Sequence, residues 1–341
     1  MNTNIRRAII TILLLLTFRS PAQDLAELYE RTNPAVVVIL TEQKEIISTG
    51  RDSKTVTADG LGSGFMISDT QVVTAAHVVK VAEKVNVQFL GGEIIPAKVI
   101  SAYAAADVAL LELIWPKKDA VTVRFADSDA VRIGERVYVV GAPYGLGHSL
   151  SSGYVSGKIA NKEDKNPFTN SEYIQTDAAI NTGNSGGPMF NMNGEVIGVV
   201  SNILSQSGGF QGIGFAATSN LTRELLFEKE ILWNGTDVVT LTGKMARIFN
   251  LPQESGFLVQ RVVKSAPFGI LGIEGGDTEA TINDQKLIVG GDIILAINGI
   301  RIEMSDVSLL EISKVVERKN AGQPIELTVL RGGKIITLGR R

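Results

Sequence analysis

Three residues have the types and the chain order needed for nucleophilic acyl transfer: a histidine, an aspartate and a serine. Ser185 lies in residues 181–188, with the sequence NTGNSGGP, and is framed by glycines. Serine is a weak nucleophile unless a base stands beside it, and a buried aspartate can hold that base in the tautomer that accepts the serine proton. We expect His77 to be the base and Asp107 to be the aspartate.

His77 is one of only two histidines in the chain, and it follows small residues in the segment TAAH of residues 74–77. Small side chains allow the backbone to pass close beneath an imidazole. The other histidine, His148, lies in the glycine-rich segment GLGHS of residues 145–149. We expect His148 to be an exposed loop residue without a catalytic role.

Asp107 precedes an apolar run in residues 104–111, with the sequence AAADVALL. Burial of a carboxylate costs free energy unless the carboxylate has a partner, and a histidine N–H is such a partner. Glu112 is a poorer candidate, because its side chain is longer and its local pattern does not match.

Glycines around Ser185 allow φ angles that other residues avoid. They let the backbone N–H groups of Gly183 and Ser185 converge on one point and form an oxyanion hole. Each donor of such a hole is worth about 2.7–4 kcal/mol in the transition state.

The order His, Asp, Ser is that of the chymotrypsin-type serine proteases, and two local motifs narrow the match. GNSGGP in residues 183–188 and TAAHVV in residues 74–79 closely resemble those of the HtrA/Deg family, trypsin-like serine proteases with a C-terminal PDZ domain. The resemblance runs from about residue 24 to the C-terminus. Thr182 stands where the family often has proline, which should only soften the turn.

The resemblance implies a mainly β fold, a chymotrypsin-like double β-barrel followed by one α+β PDZ domain. It also implies an exported, ATP-independent serine endopeptidase of protein quality control, which cleaves unfolded or damaged proteins. A homotrimer or higher oligomer is implied as well, held partly through residues 25–34, which carry an apolar stripe.

The resemblance also implies which residues form the specificity pocket. Ala179 and Ile180 are expected to line its floor, which therefore carries no acid. A pocket without a carboxylate does not favour lysine or arginine, so we expect cleavage after valine, alanine or isoleucine. The substrate backbone is expected to pair as an extra strand along residues 200–202. The other expected pocket residues are Val200, Ser201, Asn202, Ile213 and Phe215.

The chain divides into three expected parts. Residues 1–22 have a basic start at Arg6 and Arg7, an uncharged run over residues 8–18 and small residues at Ser20 and Ala22. This pattern is that of a signal peptide cleaved after Ala22, with an uncleaved membrane anchor as the weaker alternative. Export without any cysteine fits a bacterial periplasm. Residues 23–230 are expected to form the protease domain, and residues 231–341 the PDZ domain.

Short apolar runs separated by turn residues predict an all-β sandwich or barrel in the first domain. Helices are predicted over residues 24–32, 221–230 and 307–320, and residues 42–59 are expected to be a polar surface loop. The predicted strands are residues 36–40, 62–67, 85–89, 108–113, 136–140 and 195–200.

The expected PDZ domain rests on residues 291–299, GDIILAING, which resemble the strand and turn at the heart of such domains. PDZ domains bind an extended C-terminus beside a loop of backbone N–H groups. The nearest match to that loop is Trp233, Asn234, Gly235 and Thr236. The predicted helix over residues 307–320 would form the other wall of the groove, and residues 273–290 form a longer polar segment than most such domains have. The alternative is a domain used only for packing or assembly.

Composition excludes several other classes of protein. The net charge of −3 gives no reason to expect a nucleic-acid partner, and the absence of cysteine excludes disulfides and thiolate catalysis. We expect no metal and no cofactor. The expected partners are unfolded proteins or peptides at the catalytic site and peptide C-termini at the PDZ domain.

Two other functions stay open at this point. One is a chaperone or peptide-sensing protein whose resting protease activity is low. The other is a dedicated regulatory signalling protease with one substrate, for which a single PDZ domain and a membrane anchor would be suitable. The intact set of catalytic residues argues against a permanently inactive protein.

Overall fold

The structure, a computed structural model, describes residues 25–49, 52–142, 148–160, 170–203, 211–229, 232–317 and 322–339. The predicted signal peptide over residues 1–22 lies outside these ranges. None of the helices within them is long and apolar enough to cross a membrane.

The first of two closed β-barrels contains six antiparallel strands in the order β1-β2-β3-β6-β5-β4. Its interior is filled by aliphatic side chains, including Val37, Ile39 and Leu111. The strands are β1 Val36–Thr49, β2 Asp52–Met66, β3 Gln71–Thr74, β4 Ala82–Gln88, β5 Ile94–Tyr103 and β6 Val108–Leu113.

The second barrel has the order β10-β11-β12-β9-β8-β7 and is also closed. Val139, Ile174 and Met189 lie among the residues of its core. The strands are β7 Arg136–Gly141, β8 Ser149–Ala160, β9 Glu172–Thr176, β10 Pro188–Asn191, β11 Val196–Ile203 and β12 Gly214–Thr218.

A separate apolar cluster fills the space between the barrels. Phe65 of the first barrel and Tyr138 and Phe190 of the second are fully buried in it, and the last two rings stack with their centroids 4.9 Å apart. This packing brings one edge of each barrel together and creates the crevice in which a shared site can form. The prediction of a double β-barrel is therefore confirmed.

The described helices are short, and three of them lie after residue 232, outside the two barrels. The first is α1, Leu25–Thr32, whose Leu28 packs into the cluster between the barrels of the same chain. The stripe predicted as an oligomer contact is thus at least partly used within one chain. The remaining helical elements are a 3-10 turn Asn33–Ala35, α2 Ala76–Val79, α3 Ser219–Arg223, a π-helical turn Glu224–Lys229, α4 Gly243–Ile248, α5 Pro267–Ile270 and α6 Asp306–Val316.

Residues after 232 form a third sheet, in the order β13-β14-β17-β19-β20, with β18 paired to β17. Asp292 is fully buried there and is held by Arg331, whose Nε lies 2.6 Å from the carboxylate. The strands of this region are β13 Thr236–Thr242, β14 Ser255–Val262, β15 Thr278–Ile282, β16 Gln285–Val289, β17 Ile293–Ile297, β18 Ile300–Arg301, β19 Glu326–Arg331 and β20 Lys334–Gly339.

Within the expected surface loop over residues 42–59, residues 42–49 and 52–59 are instead two paired strands, so that prediction was wrong. β1 and β2 continue as a ladder from the pair Val36–Phe65 to the pair Thr49–Asp52. Most side chains there are half or fully exposed, so no apolar alternation marks the strands in the sequence. Backbone hydrogen bonds across the ladder hold them instead. The long polar segment over residues 273–290 contains a second hairpin, β15–β16. Backbone hydrogen bonds hold this hairpin as well, and most of its side chains are half or fully exposed.

His148 lies in the irregular segment directly before β8, as expected, but it is half-buried and joins the second barrel to the N-terminal segment, so the prediction of an exposed residue was wrong. Its Nδ1 lies 2.7 Å from Oδ1 of Asn33, and its carbonyl accepts a hydrogen bond from Tyr29. Burial lowers the pKa of His148, and the contact with Asn33 opposes this effect in part.

The lowered pKa of His148 predicts a loss of stability in mild acid. As the pH falls below about 6.5, the unfolded chain binds a proton that the folded chain resists, so the free energy of unfolding decreases until the folded pKa is reached. Well above about pH 6.5, His148 is neutral in both the folded and the unfolded chain, so its contribution to the free energy of unfolding is constant. Denaturant unfolding of the wild type and of His148→Gln, from pH 8 to pH 5, should give a steeper acid decline in the wild type. Parallel curves would contradict this account.

Candidate active site

His77 reaches the crevice from α2, which begins directly after β3. Ala75 and Ala76 are fully buried, and their small side chains allow the helix to start against the barrel wall. The His77 side chain itself is 46% exposed. The imidazole is therefore anchored by its backbone and open to a ligand.

Asp107 lies in the turn before β6, with a φ of 55°. This left-handed conformation is uncommon outside glycine, and aspartate is among the residues that adopt it most readily. The residue is only 9% exposed. Its carboxylate therefore depends on partners within the protein.

Three donors from two barrels hold the Asp107 carboxylate. The backbone N–H of His77 donates to Oδ1 over 2.9 Å, and Nδ1 of the same residue lies 2.9 and 2.8 Å from the two oxygens. Ser201 in β11 donates its hydroxyl to Oδ2 over 2.5 Å. With Nδ1–H directed at the carboxylate, the Nε2 lone pair of neutral His77 is free to accept a proton.

The loop that carries Ser185 is held by its own backbone and by neighbouring strands. The N–H of Asn184 donates to the carbonyl of Asn181 over 3.0 Å, and that of Gly186 donates to Val200 over 2.7 Å. Gly186 has a φ of 85°, and a Cβ there would collide with Ser63 and Thr74 of the first barrel. Only glycine allows the loop to approach those strands so closely.

The backbone N–H groups of Gly183 and Ser185 donate to no group in the described part of the chain. The carbonyl of Asn184 accepts a hydrogen bond from Gly187 over 2.9 Å. In a trans peptide the C=O and N–H groups point in opposite directions, so the N–H of Ser185 is directed away from Gly187. No described group donates to the Thr182 carbonyl, so the peptide that carries the Gly183 N–H lacks a matching anchor.

The Ser185 hydroxyl points to the second barrel. It donates to the carbonyl of Ser201 over 3.1 Å and not to His77. Catalytic hydrogen bonds are often long or misaligned without substrate. The hydroxyl of Ser185 must therefore break its bond to Ser201 before its proton could pass to the imidazole.

An open cleft surrounds these residues, and Ile180 is the only one of the two expected floor residues that lines it. Ile180 is 2% exposed and packs over Gly214. Ala179 is exposed, and its carbonyl accepts a hydrogen bond from Ser151 over 2.7 Å. The cleft is lined by His77, Ala104, Ala105, Asp107, Tyr173, Ile180, Asn181, Thr182, Ser185 and Ser201.

The expected strand for substrate pairing is only partly free. The N–H of Val200 donates to Gly187, and its carbonyl accepts from Gly186, so Val200 has no backbone group left for a substrate. Ile213 and Phe215 are half-buried and are not among the residues that line the cleft, although the Phe215 ring meets Tyr173 of its lining edge-on at 6.3 Å. The side chain of Asn202 lies outside the described residues.

Two contributions could not be read from the sequence. Ser201 was expected only as a pocket residue, yet its hydroxyl holds Asp107. Tyr173 was not expected at all, and it donates its hydroxyl to the carbonyl of Ala105 over 2.9 Å, in the turn that leads to Asp107. Burial raises the pKa of Tyr173, and the negative charge of Asp107 raises it further. Neither residue stands in a local motif, because its partner is distant in sequence.

The loop of residues 233–236 docks onto the first barrel. The indole of Trp233 donates to the carbonyl of Lys80 over 2.8 Å, and the Lys80 ammonium lies 2.7 Å from Asp237. Asn234 Oδ1 accepts from both the N–H and the hydroxyl of Thr236 over 2.9 and 2.8 Å. The N–H groups of Asn234 and Gly235 donate to no described group.

Beside this loop lies an apolar groove of about 320 Å³. One side is β13, the edge strand of the third sheet, with Val238 and Thr240. Leu309 and Ile312 of α6 form the other side. Residues 102–105 of the first barrel close one end, and Ala104 and Ala105 therefore line both the groove and the catalytic cleft.

Comparison with known proteins agrees with this geometry. A family model for the trypsin-like peptidase domain matches residues 62–199. A probable periplasmic serine protease do/HhoA-like of Haemophilus influenzae is 32% identical over 93% of this chain and 71% of its own length. A probable periplasmic serine endoprotease DegP-like of Pseudomonas putida is 33% identical over 79% of this chain and 63% of its own length.

Two solved structures are similar over nearly the whole chain. The HtrA-type protease AlgW with decapeptide has a TM-score of 0.51 at 26% identity, over 92% of this chain and 96% of that one. The same protease with tripeptide has a TM-score of 0.52 at 28% identity, over 93% and 95%. The chain therefore belongs to the HtrA/Deg family of trypsin-like serine proteases and is a serine endopeptidase.

Proposed function

We propose that this protease uses Ser185 as its nucleophile, His77 as its general base and Asp107 to orient the imidazole. The observation that carries the proposal is the Asp107 carboxylate, which accepts hydrogen bonds from both the backbone N–H and Nδ1 of His77. Because the backbone N–H and Nδ1 of His77 both bond to Asp107, the imidazole ring is fixed, and Nε2 is left to accept the serine proton.

In the proposed reaction, Ser185 Oγ attacks the carbonyl carbon of the scissile bond while its proton passes to Nε2 of His77. The N–H groups of Gly183 and Ser185 stabilise the oxygen that becomes negative. The imidazolium then gives its proton to the leaving amine, and the acyl-enzyme forms. Water, activated by the same imidazole, releases the second product and restores the hydroxyl.

Substrate binding itself would release the nucleophile. The Ser201 carbonyl now accepts the hydrogen bond of Ser185. A substrate strand whose N–H donates to that carbonyl would compete with the hydroxyl, which can then rotate towards His77. We propose that the pairing strand begins at Ser201, because both backbone groups of Val200 are already used.

A low resting activity is the second candidate function, as in a peptide-sensing protein. Two observations favour it: the hydroxyl of Ser185 is bonded to Ser201 and not to His77, and the peptide bearing the Gly183 N–H has no anchored carbonyl in the described chain. Both features would require a ligand before the catalytic geometry is complete.

We further propose that residues 231–341 form a PDZ domain that binds peptide C-termini. β13 offers an unpaired edge for strand addition, and α6 forms an apolar wall opposite it. The N–H groups of Asn234 and Gly235 are available for a carboxylate, whereas Asn234 Oδ1 occupies that of Thr236. A bound peptide would thus find two free backbone donors where Asn234 and Gly235 lie.

The biological setting follows from family membership and stays a proposal. Residues 1–22 would direct export to the periplasm, where residues 23–230 cleave unfolded or damaged proteins without ATP. The relatives named above are described as periplasmic. Assembly into a homotrimer or higher oligomer is proposed on the same ground.

Ser185→Ala should abolish proteolysis without unfolding the chain. Loss of a triad nucleophile costs about 10⁶ in kcat. Casein cleavage by the purified variant measures the loss, and Ser68→Ala, in the turn between β2 and β3, is the matched control that should retain activity. Cleavage that persists in Ser185→Ala would refute the assignment of the nucleophile.

Cleavage sites in casein should follow valine, alanine or isoleucine. The residue at the pocket floor, Ile180, is apolar and buried, so a lysine or arginine side chain would lose water without gaining a carboxylate. Mass spectrometry of the fragments identifies the cut bonds, and a digest with Ser185→Ala reveals contaminating proteases. A majority of cuts after basic residues would show that another part of the cleft sets specificity.

Peptides with a free apolar C-terminus should bind the groove at least about tenfold more tightly than their C-terminal amides, because a charge-assisted hydrogen bond contributes ~1.5–3 kcal/mol. Calorimetry on full-length Ser185→Ala tests this without degrading the peptide. Gly235→Ala should weaken binding, because Gly235 has a φ of 77° and a Cβ would collide with Ala266. Gly332→Ala, also at positive φ but facing open space, is its control. Equal affinity for the free peptide and its C-terminal amide would show that the carboxylate is not recognised, and the domain would then serve in packing or assembly.

A further inference from the structure

Ser63 is a fully buried serine near the C-terminal end of β2, where a core side chain is expected. It stands between Gly62 and Gly64, and both glycines are required by close contacts. A Cβ on Gly62 would lie 2.8 Å from the Val78 methyl groups of α2, and one on Gly64 would lie 2.9 Å from the carbonyl of Val73. The strand is thus compressed between the His77 helix and the rest of the barrel.

All the polar groups of Ser63 are used, and three of its bonds lead to the second barrel. Its N–H donates to the carbonyl of Ser185 over 2.8 Å. Its hydroxyl donates to the carbonyl of Gly183 over 2.6 Å and accepts from the N–H of Ala142 over 2.9 Å. Its carbonyl accepts from the hydroxyl of Thr74 over 2.7 Å.

These bonds hold the two carbonyls on either side of Asn184. The carbonyl of Asn184 itself accepts a hydrogen bond from Gly187. The carbonyls of Gly183, Asn184 and Ser185 are therefore all held by hydrogen bonds. Their peptide N–H groups are oriented in turn, because each peptide is planar. Ser63 in the first barrel therefore fixes the peptides before and after the one that carries the Ser185 N–H, and Gly187 holds that one.

We propose that Ser63 is a positioning residue for the nucleophile loop, and that its hydroxyl, through the Gly183 carbonyl, sets the end of the oxyanion hole that otherwise lacks an anchor. The inference rests on the proposed role of Ser185. The hydroxyl fixes the carbonyl of Gly183. With that side of Gly183 fixed, the peptide between Thr182 and Gly183 can direct the Gly183 N–H into the oxyanion hole. The bond from the Ser63 N–H to Ser185 is made by backbone and does not need the side chain, so a side-chain variant removes only the two links of the hydroxyl, to Gly183 and to Ala142.

Ser63→Ala should lower kcat about ten- to a hundredfold, since misplacement by about 1 Å can cost 10² in rate. KM should change little, because substrate pairing does not involve this hydroxyl. The affinity of a peptide boronate, whose tetrahedral adduct needs the oxyanion hole, should fall in parallel with kcat. The assay uses the full-length protein and a fluorogenic peptide built on the most frequently cut casein site.

Ser128→Ala is the matched control, because Ser128 is also buried and its hydroxyl accepts a backbone N–H, that of Asn220, away from the nucleophile. It should lower the free energy of unfolding without changing kcat. If Ser63→Ala does not fold, Ser63→Cys keeps a weak donor of similar shape and should show a smaller loss of kcat at unchanged KM.

The outcomes separate the two proposals. Wild-type kcat and boronate affinity in a folded Ser63 variant, with Ser185→Ala inactive, would overturn the role of Ser63 alone. Proteolysis by Ser185→Ala would instead overturn the proposed nucleophile. A loss of kcat that Ser128→Ala reproduces would reduce Ser63 to a stabilising residue and also overturn the inference.

Discussion

The buried carboxylate of Asp107 is the constraint on which the rest of the site depends. A carboxylate at 9% exposure needs donors, and it receives them from His77 in the first barrel and from Ser201 in the second. The two barrels must therefore pack so that His77 and Ser201 reach the same carboxylate. The burial of Phe65 of the first barrel together with Tyr138 and Phe190 of the second, and the glycine contacts below Ser185, satisfy the same requirement from the core side.

Residues with local signatures could be predicted from the sequence. The strands predicted over residues 108–113 and 136–140 coincide with β6 and with all but the last residue of β7. His77, Asp107 and Ser185 stand in short motifs whose members the structure brings to one cleft. The extended β1–β2 hairpin could not be predicted, because its side chains face solvent and its stability lies in backbone pairing. Ser63 and Ser201 were missed in these roles since each acts on a residue far away in sequence, through a geometry that only the folded barrels create.

The C-terminal sheet meets the first barrel close to His77, the proposed general base. Lys80 lies three residues after His77 and contacts both Trp233 and Asp237. A second link is the turn of Ala104 and Ala105, which borders both the groove and the catalytic cleft. The groove and the cleft therefore share a wall that leads directly into Asp107.

Labelling with a fluorophosphonate tests the central claim most directly, because this reagent requires an activated serine that displaces fluoride from phosphorus. Peptide mapping of the labelled full-length protein should place one phosphonyl group on Ser185, with a rate that falls sharply in His77→Ala. Label on Ser63, Ser201 or another serine, or a rate that does not depend on His77, would contradict the account.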